Sequence, residues 1–491
     1  MGLGGMETGK FFSDQRMLLA AIAVIFLLIR IPLLTYIPFI SDETVYSMMI
    51  EEQVSHPSLV PTFLGYEVGW KPPLFFWVYG ALTRPLLALP LPLEAVYRLP
   101  TVLFGLLNSL MVFLLVGKLS KRNEVAFFTA LIYAFTFLVI FTDSLAMTDT
   151  LAMSFILASI LAYLSALENP LFFILAGFLS FLAFFTKQIN AAVAPVFMAA
   201  YLFQFDRKKL LSALFLLSLL FVPAAFLMNY LAFKSPGQAQ TVYADLISGK
   251  ILNNLSVGSI GSSAAPLFLL ASVWLPLSLF GFVKYWRENI AMSLWYLLTV
   301  FPLVAGTWMP FYFLPVMPAI AYFSCVMLLR DEKGKIVVDR FFLAVLAMAI
   351  LASLIIGAYL YQTWHDVYLP KKEAGELLAF KENTLIIGDF PYGVMSYKTL
   401  TESRKLGHWL DFGWIFDVRP DSNLSPFLVD YHAQGADVVN GSFGLIYFEA
   451  RTFRKDTNIT HFDYVAVVKK NNLVPDGTIL YNRSNITVYR E

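Results

Sequence analysis

The chain has 491 residues, of which 58% are hydrophobic and only 14% carry a formal charge. Soluble domains are usually about 45–50% apolar and about 25% charged, so this composition excludes an ordinary soluble protein and predicts a polytopic membrane protein. The 35 basic and 34 acidic residues nearly balance, which leaves no global field to recruit nucleic acid, and we expect no such partner. The single cysteine, Cys325, excludes an internal disulfide and a cysteine-cluster metal site.

Apolar stretches recur along the first three quarters of the chain, where a membrane-spanning helix needs about 20 apolar residues. We predict about eleven α-helical spans, at roughly 17–40, 99–117, 125–141, 150–166, 171–185, 191–204, 210–232, 264–283, 290–305, 312–329 and 341–361. With a cytoplasmic N-terminus, the inner segments hold fourteen Lys or Arg and the longer outer loops hold six. Positive charge concentrates on the cytoplasmic side, so we predict a cytoplasmic N-terminus and an outer C-terminus.

The composition becomes polar from about residue 362. Alternating runs at Thr384–Asp389 and Tyr464–Lys469 predict strands, and the segment 478–489 predicts a β-hairpin. We therefore predict two domains, which are a transmembrane domain at 1–361 that includes a long first outer loop at 41–98, and a small extracytoplasmic α/β domain at 362–491.

Isolated ionisable residues concentrate at outer helix ends and in the first outer loop. They are Asp42, Glu43, Glu67, Lys71, Arg98, Asp143, Asp149 and Lys187. Ionisable groups at membrane depth are costly and mark functional sites. An ion-coupled carrier would place carboxylates near the midplane, whereas the middles of these spans are almost free of charge. The pattern predicts a functional site on the outer side of the membrane.

The segment after the first span predicts an interfacial amphipathic helix that starts near Ser41, with Val45, Met48 and Met49 at helical spacing. Asp42 and Glu43 in its first turn have two interpretations. They either complement the positive end of the helix dipole, or they supply a carboxylate that accepts a proton from an attacking hydroxyl. The segment itself leaves both open.

Lys71 is followed by two prolines, which restrict the backbone and fix the position of its ammonium at the headgroup level. Such an ammonium either anchors the chain at the interface or binds a phosphate. Asp143 and Asp149 flank the outer turn between spans three and four, and Lys187 ends span five. Short outer turns are polar in any case, but together with Asp42 these residues predict an acid-and-base set on one side of the membrane.

Six short motifs, in this order, resemble those of the GT-C membrane glycosyltransferases, in particular the protein O-mannosyltransferase and aminoarabinose transferase group. The resemblance covers about residues 17 to 330. The motifs are Asp42-Glu43, Trp70-Lys71-Pro72-Pro73, Arg98-Leu99-Pro100, Ala146-Met147-Thr148-Asp149, Thr186-Lys187 and Tyr312-Phe313-Leu314-Pro315. Two positions depart from the group's pattern. Trp70 stands where an acid usually precedes the Lys-Pro-Pro, and Phe311 stands where a basic residue often precedes the tyrosine.

The resemblance implies an enzyme of the cell membrane whose outer-face site takes a sugar from a dolichyl or undecaprenyl monophosphate. The acceptor would be a lipid, a glycan or a protein, and membrane lipids would surround the enzyme. Carried over residue by residue, it implies Asp42 as the catalytic base, with Glu43 beside it as a second catalytic residue. It implies Lys71, Lys187 and Arg98 as phosphate ligands, and Asp149, Asp143, Glu67 and Tyr312 as residues that shape the site.

The chemistry of that reaction sets further expectations. A lipid phosphate leaves already ionised, so it needs a neutralising cation rather than a general acid. A carboxylate base for the acceptor hydroxyl is worth about 10²- to 10⁴-fold in rate. A single in-line displacement inverts the anomeric centre. We expect no required cofactor and no metal ligands, with a divalent metal as the alternative.

Two other functions remain open at this point. An oligosaccharyltransferase would use a lipid-pyrophosphate glycan and a divalent cation, and Trp409-Leu410-Asp411-Phe412-Gly413 resembles a motif of that family. A flippase or transporter of lipid-linked sugars would also explain many spans, although the spans have no midplane charges and the sequence has no internal repeat.

Overall fold

The computed structural model describes most of the chain, with gaps. The described residues are 12–40, 42–63, 66–67, 71–166, 168–169, 171–187, 193–194, 197–198, 267, 270–304, 310–332, 335–338, 340–381, 384–388, 392–406, 412–417, 448–454, 464–468, 478–483 and 486–490.

Helices make up most of the described residues. In chain order they are α1 (Gln15–Leu33), α2 (Asp42–Ser55), α3 (Leu74–Leu87), α4 (Leu93–Ser120), α5 (Asn123–Phe135), α6 (Phe137–Asp143), α7 (Thr148–Ala166), α8 (Leu171–Thr186), α9 (Trp274–Tyr285), α10 (Ile290–Val304), a 3-10 helix (Pro310–Val316), α11 (Met317–Leu328), α12 (Arg340–Leu378) and α13 (Tyr392–Leu406).

The strands form two small hairpins and one larger sheet. They are β1 (Thr62–Phe63), β2 (Tyr66–Glu67), β3 (Arg330–Glu332), β4 (Lys335–Val337), β5 (Thr384–Gly388), β6 (Phe412–Asp417), β7 (Phe448–Arg454), β8 (Tyr464–Val468), β9 (Thr478–Arg483) and β10 (Ile486–Arg490). The larger sheet has the order β6-β7-β5-β8-β10-β9. Its β5–β8 pair is parallel and its other pairs are antiparallel. The two predicted strands and the predicted hairpin are confirmed.

The chain is a multi-pass membrane protein. Among the described residues, five helices are long and apolar enough to cross a membrane, and a bent pair makes a sixth if it counts as one span. The five are Gln15–Leu33, Leu93–Ser120, Thr148–Ala166, Phe311–Leu328 and Phe342–Leu378. The predicted spans at 191–204 and 210–232 fall almost wholly outside the described residues, and the one at 264–283 does so in part.

The bent pair consists of α5 and α6, whose axes differ by 67°. The sequence predicts one continuous span at 125–141, and the structure corrects this prediction. Thr136 lies between the two helices with an extended backbone, and its hydroxyl donates to the carbonyl of Ile132 at 2.7 Å. The backbone N–H of Thr136 donates to the same carbonyl at 2.9 Å. A threonine hydroxyl that shares the carbonyl four residues earlier is a known cause of helix bending.

Helix α12 is also longer than predicted. It has 39 residues and continues to Leu378, whereas the apolar stretch predicts an end near 361. The sequence becomes more polar near residue 362, but residues such as Gln362 and Glu373 are good helix formers and the helix continues through them.

The residues divide into two compact units. The first comprises Met1–Leu34, Val68–Phe75 and Arg98–Leu360, and the second Thr35–Glu67, Phe76–Tyr97 and Tyr361–Glu491. In the first unit, α7 and α8 pack closely as a hairpin. The hydroxyl of Ser159 donates to the carbonyl of Ala176 and pairs with Ser180, both at 2.6 Å. Small side chains allow this close approach, and polar ones hold it in an apolar setting.

The second unit is built on the larger sheet. Ile386, Ala466 and Val488 lie in register across β5, β8 and β10, and all three are fully buried. They belong to an apolar core with residues of α12 and α13 and with Met48 of α2. A helix of the first outer loop therefore packs on the same core as the C-terminal strands.

Helix α2 begins at Asp42, where the sequence predicts a helix, but it is not a surface amphipathic helix. Nine of its fourteen residues are buried, and these include Ser47, Glu51 and Glu52. The prediction is wrong because the polar side chains of this helix face protein groups. Glu51, for example, accepts a hydrogen bond from the hydroxyl of Tyr97 at 2.6 Å.

Helix α13 also contains a buried ion pair, between Lys398 and Glu402, one turn apart. Glu402 accepts a hydrogen bond from the backbone N–H of Phe380 at 2.6 Å, which ties α13 to the end of α12. Burial raises the pKa of Glu402, and the neighbouring Lys398 ammonium opposes that increase. The pair therefore anchors α13 within the second unit.

Candidate functional site

An ion pair between Lys187 and Asp149 forms the centre of the candidate site. Asp149 lies in the first turn of α7, and Lys187 directly follows α8. The two helices form an antiparallel hairpin, so the start of one lies beside the end of the other. The Lys187 ammonium is 2.5 Å from a carboxylate oxygen of Asp149. The helix dipole favours both charges, because a negative Asp149 lies at the start of α7 and a positive Lys187 lies at the end of α8.

The two partners differ in exposure. The Asp149 side chain is fully buried, whereas 13% of the Lys187 side chain is exposed. A buried carboxylate is stabilised by the cation beside it, and the partly exposed lysine side chain can also contact a ligand. Lys187 is therefore the accessible partner of the pair.

Two aromatic rings also lie beside the Lys187 ammonium. Lys187 Nζ lies 4.5 Å from the ring centre of Tyr312 and 4.9 Å from that of Phe311, both in the 3-10 helix. Cation–π contacts at such distances attract an ammonium to the faces of the rings. The structure therefore brings three predicted residues together, namely Lys187, Asp149 and Tyr312. It also places a cation beside Phe311, where the related motif often has a basic residue.

A second buried ion pair lies in the same unit. Asp143 accepts a hydrogen bond from the Thr150 hydroxyl at 3.1 Å, and its other oxygen is 3.8 Å from the Arg30 guanidinium. Arg30 also donates to the carbonyl of Ala134 at 2.6 Å. Both charged side chains are fully buried. Because Thr150 adjoins Asp149, the two ion pairs are joined through one turn of α7.

Sequence reasoning missed Arg30. Arg30 lies within the first predicted span, and from the sequence it was treated only as a break in the apolar run. The signal was present, since an isolated arginine within an apolar helix implies a buried partner. Its partner Asp143 was predicted only as a residue that shapes the site.

The position of Asp143 depends on a glycine in α4. A methyl group added at Gly105 would lie 2.5 Å from the carboxylate carbon of Asp143 and 2.8 Å from its Cβ.

We expect Gly105→Ala to displace Asp143 from Arg30. The free energy of unfolding should fall by about 1–3 kcal/mol, and the melting temperature of the purified protein should fall with it. Thermal unfolding in detergent measures this. An unchanged melting temperature would contradict the tight contact between α4 and α6. Gly117→Ala is the control, because an added methyl there meets its neighbour at 3.7 Å.

Two further predicted phosphate ligands belong to this unit. Arg98 is fully buried, and its guanidinium donates to the carbonyl of Leu34 at 3.0 Å, which satisfies an acceptor just after α1. Lys71 is partly buried and directly precedes the two prolines before α3. The role of both as phosphate ligands stays a prediction.

The predicted catalytic acids belong to the second unit. Asp42 is the first residue of α2 and is partly exposed, whereas Glu43 is fully buried. A carboxylate oxygen of Glu43 accepts a hydrogen bond from the backbone N–H of Ile40 at 3.2 Å. Glu67 lies in β2, and its side chain is outside the described part of the structure. Among the described residues, no three His, Cys, Asp or Glu side chains form a group that could hold a metal ion.

Apolar helices that carry buried ion pairs at their ends define a membrane-embedded helical bundle. Residues 70–231, about a third of the chain, match the family model for dolichyl-phosphate-mannose-protein mannosyltransferases. The comparison with curated protein sequences gives no match.

Solved structures identify the fold. That of ArnT from Cupriavidus metallidurans bound to undecaprenyl phosphate matches with a TM-score of 0.61 and 13% identity, over 96% of this chain and 97% of that chain. Its apo state gives a TM-score of 0.60 with the same identity and coverage. The apo oligosaccharyltransferase of Archaeoglobus fulgidus gives 0.48 and 13% identity, over 73% of this chain and 58% of that chain. The two ArnT matches show that the chain has the GT-C fold.

Proposed function

We propose that this protein transfers a single sugar from a polyprenyl monophosphate to a hydroxyl of a lipid, glycan or protein acceptor. The observation that carries the proposal is the Lys187 ammonium, which is held by a buried carboxylate and two aromatic rings at the end of a partly exposed side chain. The ArnT structure with undecaprenyl phosphate supports the class of donor, and the mannosyltransferase match supports the class of reaction.

In the proposed reaction, the bond between the anomeric carbon and the phosphate oxygen breaks, and the electron pair stays on the phosphate. Lys187 neutralises the charge that develops on that oxygen, with Lys71 and Arg98 as further candidate ligands. The acceptor oxygen forms the new glycosidic bond from the opposite side, which inverts the anomeric centre. No cofactor is needed in this scheme, since no oxidation occurs and the leaving group is already ionised.

We assign the proton of the acceptor hydroxyl to Asp42 rather than to Glu43. Glu43 is fully buried, and one of its oxygens already accepts the N–H of Ile40. Asp42 is the first residue of α2 and is partly exposed, so its carboxylate is open to an acceptor hydroxyl. An accessible carboxylate is what a general base requires.

We propose eleven spans in total, with the N-terminus in the cytoplasm of a cell and residues 362–491 on the outer side of the cell membrane. The excess of Lys and Arg in the inner segments supports this orientation. In this topology Glu67 and the rest of the loop 41–98 lie on the same side as residues 362–491.

The test uses the purified protein in lipid nanodiscs with two synthetic donors, a polyprenyl-monophosphate hexose and the matching pyrophosphate. Release or transfer of the hexose is measured with and without EDTA. We expect turnover of the monophosphate donor, and we expect it to persist in EDTA. Turnover of the pyrophosphate donor alone, abolished by EDTA, would indicate an oligosaccharyltransferase. Donor movement across the bilayer of sealed vesicles without any bond cleavage would indicate a transporter.

A further inference from the structure

A buried tyrosine of the C-terminal helix α13 contacts the backbone just before α2. The Tyr397 hydroxyl accepts a hydrogen bond from the N–H of Phe39 at 2.7 Å, and its ring stacks on the Phe39 ring with centres 5.1 Å apart. Tyr397 is fully buried. Phe39 is three residues before Asp42, so this contact fixes the chain directly ahead of the proposed base.

A carboxylate orients the tyrosine hydroxyl. Tyr397 donates its proton to Glu94 at 2.7 Å, and the ammonium of Lys372 in α12 lies 2.5 Å from the same oxygen. Glu94 is almost fully buried. Because a hydroxyl has only one proton, donation to Glu94 directs a lone pair of the oxygen toward Phe39. Hydrogen bonds to ionised groups are also stronger than neutral ones.

A second contact ties α2 to the same helix. Glu51, two turns into α2, accepts hydrogen bonds from Tyr97 and from Ser403 of α13. Met48 of α2 lies in the apolar core that α12 and α13 share with the sheet. Helix α13 therefore contacts both the segment before α2 and the body of α2.

We propose that Tyr397, with Glu94 and Lys372, is a positioning set that holds the first turn of α2 and thereby the carboxylate of Asp42. The C-terminal segment would then take part in catalysis indirectly, through the position of a residue in the first outer loop. The catalytic part of this inference rests on the proposed function. The positioning part depends only on the hydrogen bonds described above.

The test compares Tyr397→Phe with Tyr481→Phe in the reconstituted full-length protein. Tyr397→Phe keeps the stacked ring and removes both hydrogen bonds of the hydroxyl. Tyr481→Phe is a matched control, because the Tyr481 hydroxyl also donates to a carboxylate of α12, Glu373, at 2.6 Å within the same unit. In Tyr397→Phe we expect the kcat of donor turnover to fall about 10- to 100-fold, because small displacements of a catalytic group have such effects. The KM for the donor should stay unchanged, and Tyr481→Phe should retain wild-type values.

Hydrogen–deuterium exchange supplies a readout that does not need activity. Exchange in the peptide that contains Phe39 should become faster in Tyr397→Phe and stay unchanged in Tyr481→Phe. Equal exchange in wild type and Tyr397→Phe would overturn the positioning role. Unchanged kcat, an effect on KM alone, or equal losses in both variants would overturn the catalytic role. If wild type consumes no polyprenyl-phosphate donor, the proposed function fails, and the exchange comparison still decides whether Tyr397 holds this segment.

Discussion

Replacing Asp42 with Asn should lower donor turnover by about 10²- to 10⁴-fold, the usual contribution of a general base. The side chain keeps its size and loses its charge, so α2 should still form. The affinity for the donor should stay close to that of wild type, because the proposed phosphate ligands are cations elsewhere in the chain. Measurement of kcat with the polyprenyl-monophosphate hexose, together with donor binding by fluorescence, checks both expectations.

The control for this variant is Asp366→Asn, which removes an exposed carboxylate in the same unit. It should retain wild-type kcat, because an exposed charge on α12 has no part in the proposed reaction. Glu43→Gln serves as a second comparison, since its amide oxygen can still accept the N–H of Ile40. If Asp42→Asn turns over at the wild-type rate and Glu43→Gln does not, the base would have to be reassigned to Glu43.

Replacing Lys187 with Met should weaken donor binding about 10- to 100-fold. Hydrogen bonds to charged groups contribute about 1.5–3 kcal/mol, and about 1.4 kcal/mol corresponds to tenfold in affinity. The variant should also be less stable by about 3–5 kcal/mol, because it removes the cation beside the buried carboxylate of Asp149. Donor titration and thermal unfolding measure the two effects separately.

A double variant separates the ligand role of Lys187 from its structural role. Adding Asp149→Asn to Lys187→Met should restore most of the lost stability, because no charge is then buried at this position. Donor binding should stay weak. If the double variant regains both stability and donor affinity, Lys187 is a structural residue and the phosphate must be held by other cations.

The sequence was sufficient to predict a polytopic helical membrane protein and the proximity of two candidate site residues. Helical spans are readable because each must be apolar over its length, and the residues at their ends stand out as the exceptions. Lys187 and Asp149 are both such exceptions, and since they flank two consecutive spans they had to lie at the same end of a helical hairpin. Tyr312 required the family resemblance, because one tyrosine among many has no distinguishing pattern.

Other features depend on contacts between residues far apart in the chain. The pairing of Arg30 with Asp143 requires knowledge of which helices are neighbours, and the bend at Thr136 requires that its hydroxyl bonds to its own helix. Burial of α2 was not predicted, because its polar residues indicate an exposed face. Their partners, such as Ser403, lie hundreds of positions away in the sequence.

The unequal burial of Lys187 and Asp149 also restricts the order in which mutations can accumulate during evolution. A lineage that loses the lysine first passes through a form with a carboxylate fully enclosed in protein. A lineage that first changes Asp149 to a neutral residue retains a lysine with 13% of its side chain exposed. Since Lys and Arg side chains can extend toward water, the second order costs less free energy at its intermediate step. Mutations that remove this ion pair are therefore tolerated more easily when Asp149 changes before Lys187.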